Sequence, residues 1–214
     1  LRHRLSGTFA TEVSDASGTL LFDCANRRLS EDLCGLLKID PKTLPPCYES
    51  PEISSRLSRD AAAALGLAEG VPIAGGGGDQ AAQAVGTGIV REGPVSLTLG
   101  TSGCAFAARA TWPGNPGGIL HAFCHAVPGT WHLMSVMLSA GGSLRWFRDE
   151  VARDLKAAAA ERGVDPYDLL SEEASAAPPG AEDLLFLPYL SGERTPVADP
   201  HARGAFVGLS IAHT

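Results

Sequence analysis

An α/β fold, with mixed sheets flanked by helices, is what the sequence predicts. Three observations carry that reading. Helix-capping residues and helix-stopping glycines recur along the chain. A short apolar run leads into a glycine cluster and then into small helix-forming residues. Two stretches alternate apolar and polar residues about a turn, as hairpins do.

Taken in order, residues 1–6 read as the tail of a helix, with Gly7 at a left-handed C-terminal cap. Residues 8–23 are polar and turn-rich. Ser30 caps a short helix ending near Leu37, and Pro41 to Pro46 form a connector. Ser58 caps a helix over Arg59–Leu65, closed by Gly66. Val71-Pro72-Ile73-Ala74 reads as a short buried strand running into Gly75–Gly78, and Gln80 to Val85 as a helix. Val95–Leu99 then alternates as a strand, turns at Gly100–Gly103 and returns through Cys104–Ala108. A second hairpin runs over His121–Val127 and Trp131–Leu138 about Pro128-Gly129. One long helix is expected from Gly141 to Arg162, stopped by Gly163. Asp165-Pro166 opens the next helix, and Leu184–Leu187 is a last strand. The texture changes near residues 86–94, where the chain divides best.

Composition narrows the classes. The chain has 214 residues, 44% hydrophobic and 19% charged, enough for a soluble core. A net charge of −7 argues against a nucleic-acid partner. No apolar run approaches a membrane span. Five cysteines without CxxC spacing read as reduced thiols of a cytosolic protein. The chain opens on Leu1 and stops at Thr214 partway through structure, so it reads as a fragment.

Four segments have the composition of sites. In Gly75-Gly76-Gly77-Gly78-Asp79-Gln80, the glycines permit a sharp turn at the C-terminal end of a strand, where open α/β sheets bind ligands. A carboxylate there suits the proton of a hydroxyl, or caps the helix that follows; Gln80 orients a polyol or faces solvent. Leu99-Gly100-Thr101-Ser102-Gly103 is either an anion-binding nest or an ordinary hairpin turn. Ser139-Ala140-Gly141-Gly142-Ser143 opens a helix carrying Arg145, so it either offers N–H groups to a phosphate or lets the helix pack closely. Glu193-Arg194, between Pro188 and Pro196, is either a clamp near a ligand or a surface loop held by ion pairs.

Other chemistries lack their signatures. Gly-Lys is absent, which excludes a Walker P-loop, and Gly75–Gln80 fails the GxGxxG spacing. No GxSxG elbow occurs. His121, Cys124, His125 and His132 are a poor zinc set, because strand alternation sends His121 and Cys124 to opposite faces. The same alternation separates Cys124 from His125 as a nucleophile pair.

In this order and spacing, Gly76–Gln80, Leu99–Gly103 and Ala140–Asp149 together resemble the FGGY carbohydrate kinases of the actin-like ATPase superfamily. Leu1–Gly7, Val13–Thr19, Phe123–Gly129 and Pro188–Pro196 are similar to the branch that acts on xylulose, and the likeness spans essentially the whole chain. The resemblance implies two ribonuclease-H-like domains with an interdomain cleft, each only partly present. Residues 1–85 would be the C-terminal part of the sugar-side domain, and 86–214 the N-terminal part of the nucleotide-side domain. It implies ATP-dependent phosphorylation of a ketopentose in the cytoplasm, D-xylulose to D-xylulose 5-phosphate. Another polyol or ketose (glycerol, ribulose, gluconate) and a non-catalytic actin-like or sugar-binding module stay open.

By motif, Asp79 matches the family's catalytic base and Gln80 a polyol contact. Gly100, Thr101 and Ser102 match a phosphate-binding turn, and Gly141 and Arg145 match nucleotide contacts. Glycerol kinases have Gln where Arg145 stands. Mg2+ would ride on the ATP phosphates, with no dedicated metal ligand in this chain. Sugar and ATP are the implied partners, with a homodimer left open and neither nucleic acid nor membrane. The family's first phosphate loop and adenine site are not in these residues, so the isolated chain is expected to be inactive.

Overall fold

The computed structural model describes residues 1–211 and 213. The chain opens with α1 (Arg2–Ser6), β1 (Thr11–Glu12) and α2 (Val13–Ala16), then β2 (Phe22–Asp23), β3 (Arg28–Leu29) and α3 (Glu31–Leu37). Next come β4 (Cys47–Tyr48), β5 (Ile53–Arg56), α4 (Arg59–Leu65), β6 (Pro72–Ala74) and α5 (Asp79–Gly86). The strands β7 (Val95–Leu99), β8 (Gly103–Arg109), β9 (His121–Cys124) and β10 (Trp131–Met137) form one sheet in the order β7-β8-β10-β9. They are followed by α6 (Gly141–Trp146), α7 (Arg153–Arg162), α8 (Pro166–Ala176), β11 (Leu185–Leu187) and β12 (Ala205–Val207). β1 pairs in parallel with β4 in a sheet of their own, whereas β9 pairs antiparallel with β10, so helices accompany both kinds of strand pairing.

The local signals act where the sequence places them. Ser30 Oγ accepts the Leu33 N–H at 3.2 Å, and Ser58 Oγ that of Ala61 at 3.3 Å, satisfying first-turn donors of α3 and α4. Asp165 accepts from Tyr167 N–H at 2.9 Å with Pro166 in the first turn of α8. Gly7, Gly66 and Gly163 end α1, α4 and α7 in the left-handed region, at φ 73°, 68° and 66°.

Two compact units emerge, one of Leu1–Ser96 with Phe106–Met134, the other of Leu97–Ala105 with Ser135–Thr214. In the first unit, Val13, Ala16, Phe22 and Cys124 form one buried cluster, and Ala84, Ile89, Phe106 and Ala108 another. Arg27 ties distant segments of this unit together. Its guanidinium pairs with both Glu49 carboxylate oxygens at 2.7 Å and donates to the Thr130 carbonyl at 2.6 Å. In the second unit Trp146 stacks on Phe186, which packs against Phe206.

Four expectations need correction. Residues 8–23 contain β1 and α2, because pairing of β1 with β4 and capping by Glu12 order a stretch whose composition suggests turns. The strand before the glycine cluster is not buried: β6 pairs with β5 in a two-stranded sheet that leaves Pro72 and Ala74 exposed. The second hairpin's first strand stops at Cys124, since the Val127 N–H turns back to His125 Nδ1 at 3.1 Å instead of continuing a ladder. The long helix is interrupted. Its backbone widens over Phe147–Val151, with Ala152 N–H donating to the Phe147 carbonyl, and Ala152 leaves helical geometry before α7 begins. Ala152 is buried, and Asp149 takes Arg148 and Lys156 as partners, so packing sets this break and not a Pro or Gly. No helix among the described residues is long and apolar enough to cross a membrane.

Candidate active site

Asp79 is the first residue of α5, and Gly78 occupies the N-cap. The carboxylate is exposed and accepts the N–H of its neighbour Gln80 at 2.7 Å. Gly78 holds the cap position, so Asp79 stands one residue inside the helix, where its carboxylate takes a first-turn N–H. Asp79 and Gln80 open onto a pocket lined also by Ser14, Asp15, Gly18, Phe123 and His132. The glycine run sits against backbone. A Cβ on Gly75 would stand 2.5 Å from the Glu49 carbonyl, while the Gly75 and Gly76 N–H groups donate to the Glu52 and Ser50 carbonyls. Only a residue without a side chain permits that approach.

Around the pocket lie buried polar groups, of which sequence reading missed Glu12 and left the burial of His125 and His132 unread. Glu12 is buried and accepts from Ser14, Asp15, Ser50 and Gly78. His125 and His132 are also buried, with Phe106 stacked on His132 at 4.2 Å between ring centroids. Burial pushes His132 down to about 3 and lowers His125 as well, so both imidazoles are neutral at pH 7. His125 Nδ1 accepts from Val127 N–H, which leaves Nε2 to donate to the Ile89 carbonyl at 2.9 Å. The signal available for these groups is the pairing of polar residues with apolar neighbours at alternate strand positions, which does not distinguish a buried His from an exposed one.

The second unit contains the turn. Gly100 N–H donates to the Ser102 carbonyl at 2.9 Å, closing it, while the Thr101 and Ser102 N–H groups find no acceptor among the described residues. Arg145 Nη2 donates to Thr101 Oγ1 at 3.0 Å, so a guanidinium rests on the turn. Ser102 Oγ instead donates to the Leu138 carbonyl at 3.1 Å. Two open N–H groups, a hydroxyl and a guanidinium make a donor set that fits a phosphate. The start of α6 behaves differently from a free helix N-terminus. The Ala140, Gly141 and Gly142 N–H groups are taken by the Thr101, Gly100 and Thr101 carbonyls. Gly141 is there for close packing, since its Cβ would fall 2.7 Å from the Gly100 oxygen. The structure therefore joins Gly100, Thr101, Gly141 and Arg145 in one place.

The Glu193-Arg194 loop is held by backbone N–H groups, with no ion pair at Glu193 or Arg194 among the described residues. Glu193 is buried, and its carboxylate accepts the Leu138 and Arg194 N–H groups at 3.0 and 2.7 Å. Leu138 thus receives Glu193 at its N–H and Ser102 at its carbonyl, which links the loop to the turn.

The first unit thus carries an exposed carboxylate at a helix start, and the second a turn with an arginine on it. The FGGY carbohydrate kinase N-terminal domain matches residues 1–86 and the C-terminal domain residues 95–214; the chain belongs to the FGGY family of carbohydrate kinases. It is 43% identical over 213 residues to the xylulose kinase of Escherichia coli, covering 100% of this chain and 42% of that protein. The crystal structure of a xylulose kinase from Rhodospirillum rubrum is similar at 31% identity and a TM-score of 0.85, covering 100% of this chain and 41% of that one. That of a gluconate kinase from Lactobacillus acidophilus also gives 0.85, at 27% identity, covering 99% and 41%. The chain therefore spans about two-fifths of the length of the relatives it matches. The fold is the actin-like one of these sugar kinases.

Proposed function

We propose that these residues are part of an ATP-dependent kinase that converts D-xylulose to D-xylulose 5-phosphate, with residues 1–85 and 86–214 contributing to its two domains. The observation that carries the reading is Asp79, exposed at the start of α5 with the cap position held by Gly78. Its carboxylate accepts the proton of the sugar hydroxyl as that oxygen bonds to the γ-phosphorus of ATP and the bond to the ADP oxygen breaks. Gln80 orients the sugar. The Thr101 and Ser102 N–H groups, with Arg145 at 3.0 Å from Thr101, hold the phosphate oxygens in line. Gly100 and Gly141 set the close packing that shapes the turn. Mg2+ carried on the ATP phosphates supplies charge neutralisation for the transfer.

Xylulose is favoured by the likeness to the E. coli protein, and gluconate is the second reading because of the structural likeness to the L. acidophilus gluconate kinase. The test is Asp79→Asn in the full-length kinase, assayed with xylulose, gluconate and glycerol. Loss of turnover by about 10²–10⁴ is expected for a general base. Melting should hold within about 2 °C, because the Asp79 side chain bonds only its neighbour's N–H among the described residues. Turnover within about threefold of the parent removes Asp79 as the base. A higher kcat/KM on gluconate than on xylulose replaces the substrate.

A further inference from the structure

Glu12 lies 67 positions before Asp79, and its carboxylate is the point on which the approach to Asp79 is hung. Its side chain is 3% exposed and accepts five donors. Oε1 takes the Ser14 hydroxyl at 2.6 Å, the Asp15 N–H at 2.6 Å and the Gly78 N–H at 3.0 Å. Oε2 takes the Ser14 N–H at 2.8 Å and the Ser50 hydroxyl at 2.7 Å. The Gly78 N–H is shared with Ser14 Oγ at 2.9 Å, so Glu12 and Ser14 grip the same peptide group.

A buried carboxylate is retained only where donors replace the water it loses, and here hydroxyl and N–H donors do so from three separate segments. Capping α2 explains two of them, the Ser14 and Asp15 N–H groups. It does not explain the bonds to Ser50 and Gly78. Those two residues belong to the two segments that frame the glycine turn, because the Gly76 N–H donates to the Ser50 carbonyl. Gly78 has no side chain to hold it, and its φ and ψ of −57° and 147° are set by what its N–H meets. The next residue is Asp79.

We infer that Glu12 is a positioning residue for Asp79: its carboxylate, with Ser14, fixes the Gly78 peptide and so the place from which the Asp79 side chain leaves the backbone. The inference rests on the reading of Asp79 as base. An ångström of misplacement at a catalytic group costs turnover while leaving substrate binding largely intact. Gln at position 12 keeps the size and one oxygen but turns an NH2 toward N–H or O–H donors, so the grip on Gly78 loosens.

The test is a double-mutant cycle in the full-length kinase, with Glu12→Gln, Asp79→Asn and both together, and KM for ATP and xylulose measured alongside kcat. Glu12→Gln should lower kcat about tenfold or more, with both KM values within about threefold. In the Asp79→Asn background it should lower the residual turnover no further, because it acts through a group already removed. Ser14→Ala keeps the Glu12 carboxylate and removes the second acceptor from Gly78. It should lower kcat about threefold in the parent and not at all in the Asp79→Asn background, and it carries the test if Glu12→Gln fails to fold. Unchanged kcat in either folded variant, a loss that appears mainly in KM, or losses that multiply in the double mutant overturn the inference while Asp79 stays the base. If Asp79→Asn itself turns over normally, the base reading falls and this inference falls with it.

Discussion

The Gly141 N–H donates to the Gly100 carbonyl at 2.9 Å, and a Cβ on Gly141 would stand 2.7 Å from that same oxygen. The helix start and the turn are thus in direct backbone contact, with no side chain between them. Backbone on both sides leaves nothing flexible to move aside. Gly142 repeats the arrangement more loosely, its Cβ falling 3.0 Å from the Thr101 carbonyl.

Gly141→Ala should therefore push α6 and the turn apart. Overpacking of this kind costs about 1–3 kcal/mol. A fall of several degrees in Tm is expected, together with a raised KM for ATP, measured by thermal melting and steady-state kinetics. A Tm within about 1 °C of the parent would show that the turn yields without strain.

Thr101→Val tests the turn's chemistry with its shape kept. The substitution removes the Oγ1 that receives Arg145 and leaves the guanidinium without that anchor. Both residues are exposed, so the bond contributes little to stability, about 1 kcal/mol or less. The KM for ATP should rise more than the KM for xylulose. Equal effects on both, or an effect on sugar alone, would remove the turn from the nucleotide site.

Acid should destabilise the first unit through its two buried histidines. Burial holds His132 down to about 3 and lowers His125, whereas an unfolded histidine takes up a proton near pH 6.5. From about pH 6.5 down toward pH 3 the unfolded chain therefore binds more protons than the folded one. Stability is fully present above that window and falls as pH drops through it, by up to about 1.4 kcal/mol per pH unit for His132, with His125 acting in the same direction. His132→Gln should flatten the dependence of Tm on pH between pH 7 and 5. A slope unchanged in the variant would show that His132 is not the group responsible.

Much of the site was legible from residue types at close spacing. Asp79 and Gln80 follow a glycine run, and Gly100, Thr101 and Ser102 sit between strands whose alternation marks them, so the turn and the helix start follow from local sequence. Arg145 could be put on the helix after the glycine pair, although its bond to Thr101, 44 residues away, could not be read from spacing. Gly141 lies against the turn, and its N–H is taken by the Gly100 carbonyl, a contact that spacing does not reveal. Glu12 escaped notice altogether, because a lone Glu in a polar stretch carries no mark of the five donors that converge on it.

What the sequence determined by itself is everything governed by interactions within a turn or two of chain. Ser30, Ser58 and Asp165 cap helices through bonds to residues two or three positions on, and Gly7, Gly66 and Gly163 stop them by occupying a backbone region costly to other residues. The tertiary structure alone decided which polar groups would be buried and what would meet them. Glu12 reaching Gly78 and Arg27 bridging Glu49 and Thr130 both depend on segments far apart in sequence. Burial removes water from a charge or a peptide group, and the partner that replaces it is whichever segment the packing brings within about 3 Å.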